Sequence, residues 1–163
     1  MTPIDLVDCL ADWIADKTQD MKLQVRVRGT NPKEEKERAA AVFKLGLPNR
    51  EDATAKIPYI LLKFLTAKDD KPERQPEESM CQIRIIVATY AEDGGTGEYD
   101  VLNVLLRIRS ELEKAGIIAE RYALHMPLEY TVYQDNTRPY YLGEMITNWS
   151  IPTIKREVEE VWL

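Results

Sequence analysis

The sequence contains few of the residues from which catalytic and metal sites are most often built. Among its 163 residues there are two cysteines, Cys9 and Cys81, and a single histidine, His125. The cysteines are too far apart for a CxxC motif or a zinc-ligand pair, so we expect both to be reduced and structural. With one histidine, neither a histidine-rich metal site nor a Ser-His-Asp triad can be assembled in the usual way. Carboxylates are plentiful, but nothing singles out a reactive pair, so no enzyme activity is predicted.

Long apolar runs and an excess of basic residues are also missing. No apolar stretch approaches the ~18 residues that a membrane-spanning helix needs. The first residues, MTPIDLVDCLADW, carry acidic side chains where a signal peptide has positive charge. The formal net charge of −6 disfavours a compact nucleic-acid reader, because phosphate contacts require a basic face. We therefore expect a soluble protein, made in a cytoplasm, with no membrane partner.

The residues that are present indicate one globular domain of mixed structure. Hydrophobic residues make up 44% and charged residues 31%, an ordinary balance for a chain with its own core. Apolar residues at spacings of three and four predict one helix, capped by Thr2 and ending near Lys17–Asp20; they are Ile4, Val7, Ala11 and Ile14. The same spacing predicts a second helix that ends at Gly116, with an apolar stripe of Val101, Leu105, Ile108 and Leu112. Propensity alone predicts a short helix over 33–45. Strand-like segments lie at 22–28, 57–66, 81–90, 117–124, 128–135 and 141–151. This order predicts an α+β fold, with a mainly antiparallel sheet flanked by two or three helices.

Two further segments are predicted to lie outside the regular elements. Residues 67–80, AKDDKPERQPEESM, are rich in charge and proline and lack apolar periodicity, so we expect a mobile charged loop there. It is equally suited to be a spacer or a docking element. A C-terminal tail over 154–163 is charged but ends in Val-Trp-Leu. Apolar residues in such a position indicate docking, on this chain or on a neighbour.

A glycine-rich loop, EDGGTGEYD at 92–100, lies between a predicted strand and a predicted helix, as in many phosphate-binding sites. A Walker loop requires Lys-Ser/Thr after its last glycine, and here Gly97 is followed by Glu98 and Tyr99. The GxGxxG dinucleotide motif is matched only in part. The acidic side chains of the loop would repel a phosphate; they are Glu92, Asp93, Glu98 and Asp100. The same four can in principle hold a hard cation, but they lack the EF-hand spacing. We interpret the loop as a flexible turn and predict neither a cofactor nor a metal.

Two stretches resemble a group of phage and prophage tail proteins. The first is IVATYAEDGGTGEYDVLNVLLRIRSELE at 86–113, and the second is PLEYTVYQDNTRPYYLGEMITNWSIP at 127–152. The matching features are a strand ending in TY, the acidic glycine loop, the GEYDVLNVLLRIR helix, a PLEY strand and an RPYYLGEMITNW strand. Together they cover about the C-terminal half of the chain. None of these motifs is catalytic.

The resemblance implies a tail-completion or tail-terminator protein: a structural, non-enzymatic ring, often a hexamer, that caps the tail tube and faces the head connector. The implied partners are other copies of the chain, the tail-tube protein and the head-tail connector proteins. DNA would pass only as cargo through an acidic lumen. The implied location is the virion tail or neck, after synthesis in the bacterial host cytoplasm. A ring contact requires two different complementary surfaces. For these we select Glu92, Asp93, Glu98, Tyr99, Trp162 and Leu163.

Two other functions remain open on the sequence. One is another virion assembly component, such as a head-tail adaptor or a tail-tube subunit. The other is a small ligand-binding or metal-binding domain, or an enzyme, that uses the acidic glycine loop.

Overall fold

The computed structural model describes residues 1–27, 36–48, 54–92 and 96–157. The chain folds as a single α+β domain, as the sequence predicts, and two helices are found in the described part. The helices are α1 (Pro3–Thr18) and α2 (Gly97–Ala115). The strands are β1 (Leu23–Gln24), β2 (Glu37–Arg38), β3 (Ala41–Lys44), β4 (Tyr59–Asp70), β5 (Glu78–Tyr90), β6 (Ile117–Ile118), β7 (Tyr122–Val132) and β8 (Tyr140–Ser150).

Most of the strands form one six-stranded sheet in the order β3-β4-β5-β8-β7-β6. β3 runs parallel to β4, and every other neighbouring pair in the sheet is antiparallel. The short strands β1 and β2 form a separate antiparallel pair. β5 and β8 are therefore the central strands, and β4 and β7 lie on either side of them.

Both helices pack on the same face of this sheet. In α1, Thr2 caps the first turn by accepting a hydrogen bond from the backbone N–H of Asp5 at 3.2 Å, as predicted. Leu6, Leu10 and Ile14 on its inner side are fully buried. In α2, the predicted apolar stripe is confirmed as the buried side of the helix. Its members are Val101, Leu105, Ile108 and Leu112.

Two glycines allow α2 to approach the sheet closely. A Cβ on Gly143 of β8 would lie 2.6 Å from Val101 Cγ1 and 2.9 Å from the carbonyl oxygen of Thr131. A Cβ on Gly97, the first residue of α2, would overlap the ring of Tyr141. The last glycine of the loop is therefore needed for packing against β8.

The sheet has a covered face and an open face. The covered face, on the helix side, carries the main core; its central members are Ile83, Ile85, Val87, Met145 and Trp149. The open face has a smaller apolar cluster at one end, around Tyr59, Leu61 and Ala88. Because side chains alternate along a strand, odd-numbered residues of β5 and β8 lie on the covered face and even-numbered ones on the open face.

The predicted helix over 33–45 is wrong where the structure describes that segment. Residues 37–38 and 41–44 form β2 and β3. Val42 packs against the main core, whereas Phe43 packs against the smaller cluster, with its ring 6.2 Å from that of Tyr59. Burial on two opposite faces requires a strand, and it outweighs the helix propensity of the alanine-rich stretch.

The predicted strands also have different bounds. Only Leu23–Gln24 of the segment 22–28 is a strand, and residue 28 lies outside the described residues. Residues 67–70 and 78–80 of the predicted mobile loop extend β4 and β5, which pair down to Asp70 and Glu78. The connection between them is therefore only 71–77. Its mobility, and any docking by it, stay predictions.

Candidate functional site

Of the six residues predicted to form contact surfaces, three are in the described part of the structure. Glu92 follows β5 and is exposed, and its backbone N–H donates to Gln24 Oε1 at 3.2 Å. Glu98 and Tyr99 lie in the first turn of α2, and Tyr99 is 68% exposed. Asp93, Trp162 and Leu163 lie outside the described residues. Glu98 and Tyr99 line one groove, and Glu92 lines another.

Glu98 and Tyr99 line a groove of about 540 Å³ between the start of α2 and the β7–β8 connection, which we call the α2 groove. Its other lining residues are Leu102, Val132, Gln134, Asn136, Arg138 and Tyr141. It combines a carboxylate, a guanidinium and amide groups with tyrosine rings. Tyrosine and arginine are enriched in protein–protein contact surfaces. The groove is thus chemically suited to hold part of another polypeptide.

Hydrogen bonds of one asparagine hold the wall of the α2 groove in place. Asn136 Nδ2 donates to the carbonyl oxygen of Tyr133 at 2.5 Å, and Asn136 Oδ1 accepts from the backbone N–H of Leu142 at 3.0 Å. These bonds close the turn between β7 and β8 from inside. The opposite wall is fixed because Gly97 packs under Tyr141. Both walls are therefore set by contacts within motifs that carry the resemblance.

Glu92 lines a second, separate groove beside the β1–β2 pair. Its volume is about 390 Å³, and it is also lined by Gln24, Val25, Val27, Lys36, Glu37 and Tyr90. Next to it, Arg26 Nη1 donates to the hydroxyl of Tyr140 at 2.5 Å, and its guanidinium lies 5.9 Å from the centre of that ring. This hydrogen bond to the hydroxyl of Tyr140 raises the pKa of Arg26. The side chain of Arg26 is exposed.

The open face carries a polar group that the sequence analysis did not identify. Arg84 of β5 donates through Nε to Glu144 of β8 and through Nη2 to the hydroxyl of Tyr133, the latter at 2.5 Å. Partial burial acts to lower the pKa of Arg84, but the hydrogen bonds with Glu144 and Tyr133 raise it. The arginine is therefore held in its charged form. Alternation along each strand places these residues on the open face, but only the register brings them together.

The two cysteines differ in burial, and only Cys81 is fully buried. Cys9 and Cys81 are both unpaired, as predicted. Cys81 lies in the main core, and burial raises the pKa of its thiol to about 11. Such a thiol is poorly reactive, because the thiolate is the nucleophilic form.

The described residues contain neither a candidate metal site nor a helix suited to cross a membrane. Across 1–27, 36–48, 54–92 and 96–157, no three His, Cys, Asp or Glu side chains are grouped so that they could hold a metal ion. Neither α1 nor α2 has the length and apolar character that a bilayer crossing requires.

The chain matches no protein-family model and no curated protein sequence. One of the solved structures that resemble it aligns with 94% of this chain and 96% of its own length, at 10% sequence identity and a TM-score of 0.44. At that level the likeness carries no argument about function.

Proposed function

We propose that this chain is a structural protein of a phage or prophage tail, a tail terminator that forms a ring on the end of the tail tube. The ring would stop growth of the tube and present a surface to the head connector. Its partners would be copies of itself, the tail-tube protein and the connector proteins, with DNA passing through the lumen.

One observation carries the proposal: the separate motifs of the resemblance fit into each other. Gly97 of GEYDVLNVLLRIR packs under Tyr141 of RPYYLGEMITNW, and Gly143 of the second motif receives Val101 and Leu105 of the first. The two motifs thus form one packed unit, in which a glycine of each motif makes room for a side chain of the other. This packing supports the proposal because the matching stretches then act as one part of the fold.

The surface next to this unit is the part we assign to partner contact. Glu98 and Tyr99 come from the first motif, and Arg138 and Tyr141 from the second, and all four line the α2 groove. A tyrosine that is 68% exposed at the rim of a groove is well placed to enter a partner surface.

The test is a tube-capping assay with purified protein and purified tail tubes, followed by electron microscopy. The protein should form rings, bind tube ends and block further polymerisation of tube subunits. Tyr99→Ala should weaken capping by about tenfold or more. Ile117→Ala is the matched control, because Ile117 is similarly exposed but does not line the α2 groove. Addition of the protein to growing tubes as a subunit, or binding only to filled heads, would contradict a terminator and favour the other assembly roles.

A further inference from the structure

The two outer edges of the sheet are open over much of their length in the described chain. On β4, pairing with β3 stops at Leu62, so residues 63–70 have a strand partner only on the β5 side. On β7, only Tyr122 and Ala123 pair with β6, so residues 125–132 are bordered by β8 alone. An open strand edge presents unpaired backbone groups to another chain.

Exposed apolar side chains lie on both of these edges. Phe64 and Leu65 on β4 are 43% and 42% exposed, and Met126 and Tyr130 on β7 are 62% and 38% exposed. Each edge thus carries two large, partly exposed apolar side chains. Pairs of this kind are typical of surfaces that become covered on assembly.

The sides of the sheet also match across the two edges. Phe64 is opposite Ile83 and Tyr130 is opposite Met145, so both aromatic rings lie on the covered face. Lys63 is opposite Arg84, and Glu129 is opposite Ile146, which itself pairs with Arg84, so this opposite-charge pair lies in one row on the open face. Joining the edges with the helix layers on one side, without a shift along the strands, therefore brings the aromatic rings near each other and Lys63 opposite Glu129.

The directions of the strands also allow the β4 edge of one copy to pair with the β7 edge of another. β4, β5, β8 and β7 are successively antiparallel, so β4 and β7 run in opposite directions. A second copy turned about an axis along the strands presents its β7 antiparallel to β4 of the first copy. Such a contact uses two different surfaces and can close into a ring.

We propose that the β4 edge (63–70) and the β7 edge (125–132) are the two halves of a head-to-tail contact between copies of this chain. The inference deepens the ring assembly proposed above and depends on that part of it. Both edges also contain a register irregularity, between Phe64 and Thr66 and between His125 and Glu129. Such breaks, and Pro127 within β7, prevent long uninterrupted pairing. The contact is therefore short and depends on side chains.

The test uses one variant for each edge, Leu65→Glu and Met126→Glu, with oligomer mass measured by native mass spectrometry or light scattering. Each variant alone should be monomeric, with self-association weakened by about tenfold or more. An equimolar mixture should give heterodimers and nothing larger, because only one functional β4 edge and one functional β7 edge remain between them. Val27→Glu, at an exposed position beside the β1–β2 pair and outside both edges, should assemble like the wild type.

A charge exchange provides a second test that does not depend on these apolar positions. Lys63→Glu and Glu129→Lys should each weaken assembly, and the double variant should restore it, because the pair is re-formed between neighbouring copies. Circular dichroism of every variant checks that it is folded.

Three results would overturn the edge contact. They are wild-type-like assembly of either edge variant, dimers formed by one edge variant alone, and a folded mixture that stays monomeric. A wild-type protein that is monomeric at every concentration, with and without tube ends, would overturn both the edge contact and the ring. Rings that depend on these edges but do not cap tubes would overturn only the proposed function. Capping by rings of the edge variants would overturn only the edge contact.

Discussion

The covered and open faces of the sheet are built from the same strands but have different chemistry. On the covered face, Ile83, Ile85 and Met145 are fully buried beneath the helices. On the open face, their neighbours Arg84, Ile86 and Ile146 are half-buried, and a charged arginine is bound to a glutamate. The covered face provides the burial that folds the chain. The open face and its edges keep side chains that are suited to further contacts. Substitutions should therefore lower folding stability most on the covered face and least on the open face.

The largest effect is expected at the centre of the covered face. Trp149 is fully buried, and its Nε1 donates to Thr147 Oγ1 at 2.8 Å, while that hydroxyl donates to the carbonyl oxygen of Ile83 at 2.9 Å. Trp149→Ala should lower the free energy of unfolding by about 3–5 kcal/mol, through lost burial and the cavity that remains. Urea denaturation measures this. Tyr130→Ala, at the partly exposed β7 edge, is the control and should lose much less.

A smaller effect is expected where α2 approaches β8. Gly143→Ala places a methyl group against Val101 and the backbone of Thr131, so the free energy of unfolding should fall by about 1–3 kcal/mol. Gly46→Ala is the matched control, because no atom lies within 4 Å of the added Cβ. Equal stability of the two variants would contradict the close approach of α2 to the sheet.

On the open face, the ion pair should contribute less than the covered core. Arg84→Met or Glu144→Met alone should each lower the free energy of unfolding by about 1–2 kcal/mol, because a partly buried partner is left without its hydrogen bond. The double variant should lose less than the sum of the two, because neither partner is then left alone. Strict additivity would mean that the two side chains do not interact.

The smallest effect is a pH dependence at the border of the covered face. The hydroxyl of Tyr122 donates to Asp5, and this bond, helped by Arg121 and opposed by partial desolvation, lowers the pKa of Asp5 below its ordinary 3.8. Burial, followed by the same bond, raises the pKa of Tyr122. The pKa of Asp5 is lower in the folded state than in the unfolded state. Its contribution to folding stability is therefore fully present above the pKa of the unfolded state, and it is lost as pH falls through the pKa of the folded state.

Tyr122→Phe should therefore reduce the loss of stability between about pH 4 and pH 2. Urea denaturation at a series of pH values measures the slope, with Tyr130→Phe as the control. An unchanged slope would show that the bond does not stabilise the carboxylate.

The two helices could be predicted because their signals are local. Thr2 and Pro3 mark the start of α1, and Gly116, with its N–H bonded to the carbonyl oxygen of Leu112, marks the end of α2. The buried stripe of α2 follows from spacing alone. Ile4 was expected on the apolar face of α1, yet it is 64% exposed, and Leu6 and Leu10 fill the core instead. Spacing predicts that a helix forms, but which side of it is buried depends on where the sheet lies.

The β3 segment and the extended ends of β4 and β5 could not be predicted because their signals are not local. The alanine-rich segment becomes a strand where β4 offers a partner. The charged residues near 67–80 remain in the sheet because antiparallel pairing satisfies their backbone groups whatever their side chains are. For the candidate site, exposure of Glu98 and Tyr99 was expected from an acidic loop at a helix start. Arg138 was missed, because it reaches the α2 groove only through the β7–β8 pairing.

The central position of β5 and β8 also determines how the molecule opens. Each has a strand on both sides, and α2 contacts both of them from above. Their amide hydrogens should exchange with solvent deuterium only when the whole domain unfolds, whereas those of the outer half of β4 should exchange through local fraying. Hydrogen exchange on β5 and β8 would therefore measure the global stability of the domain. Protection that β4 gains only in an assembled particle would measure its contact with the neighbouring copy.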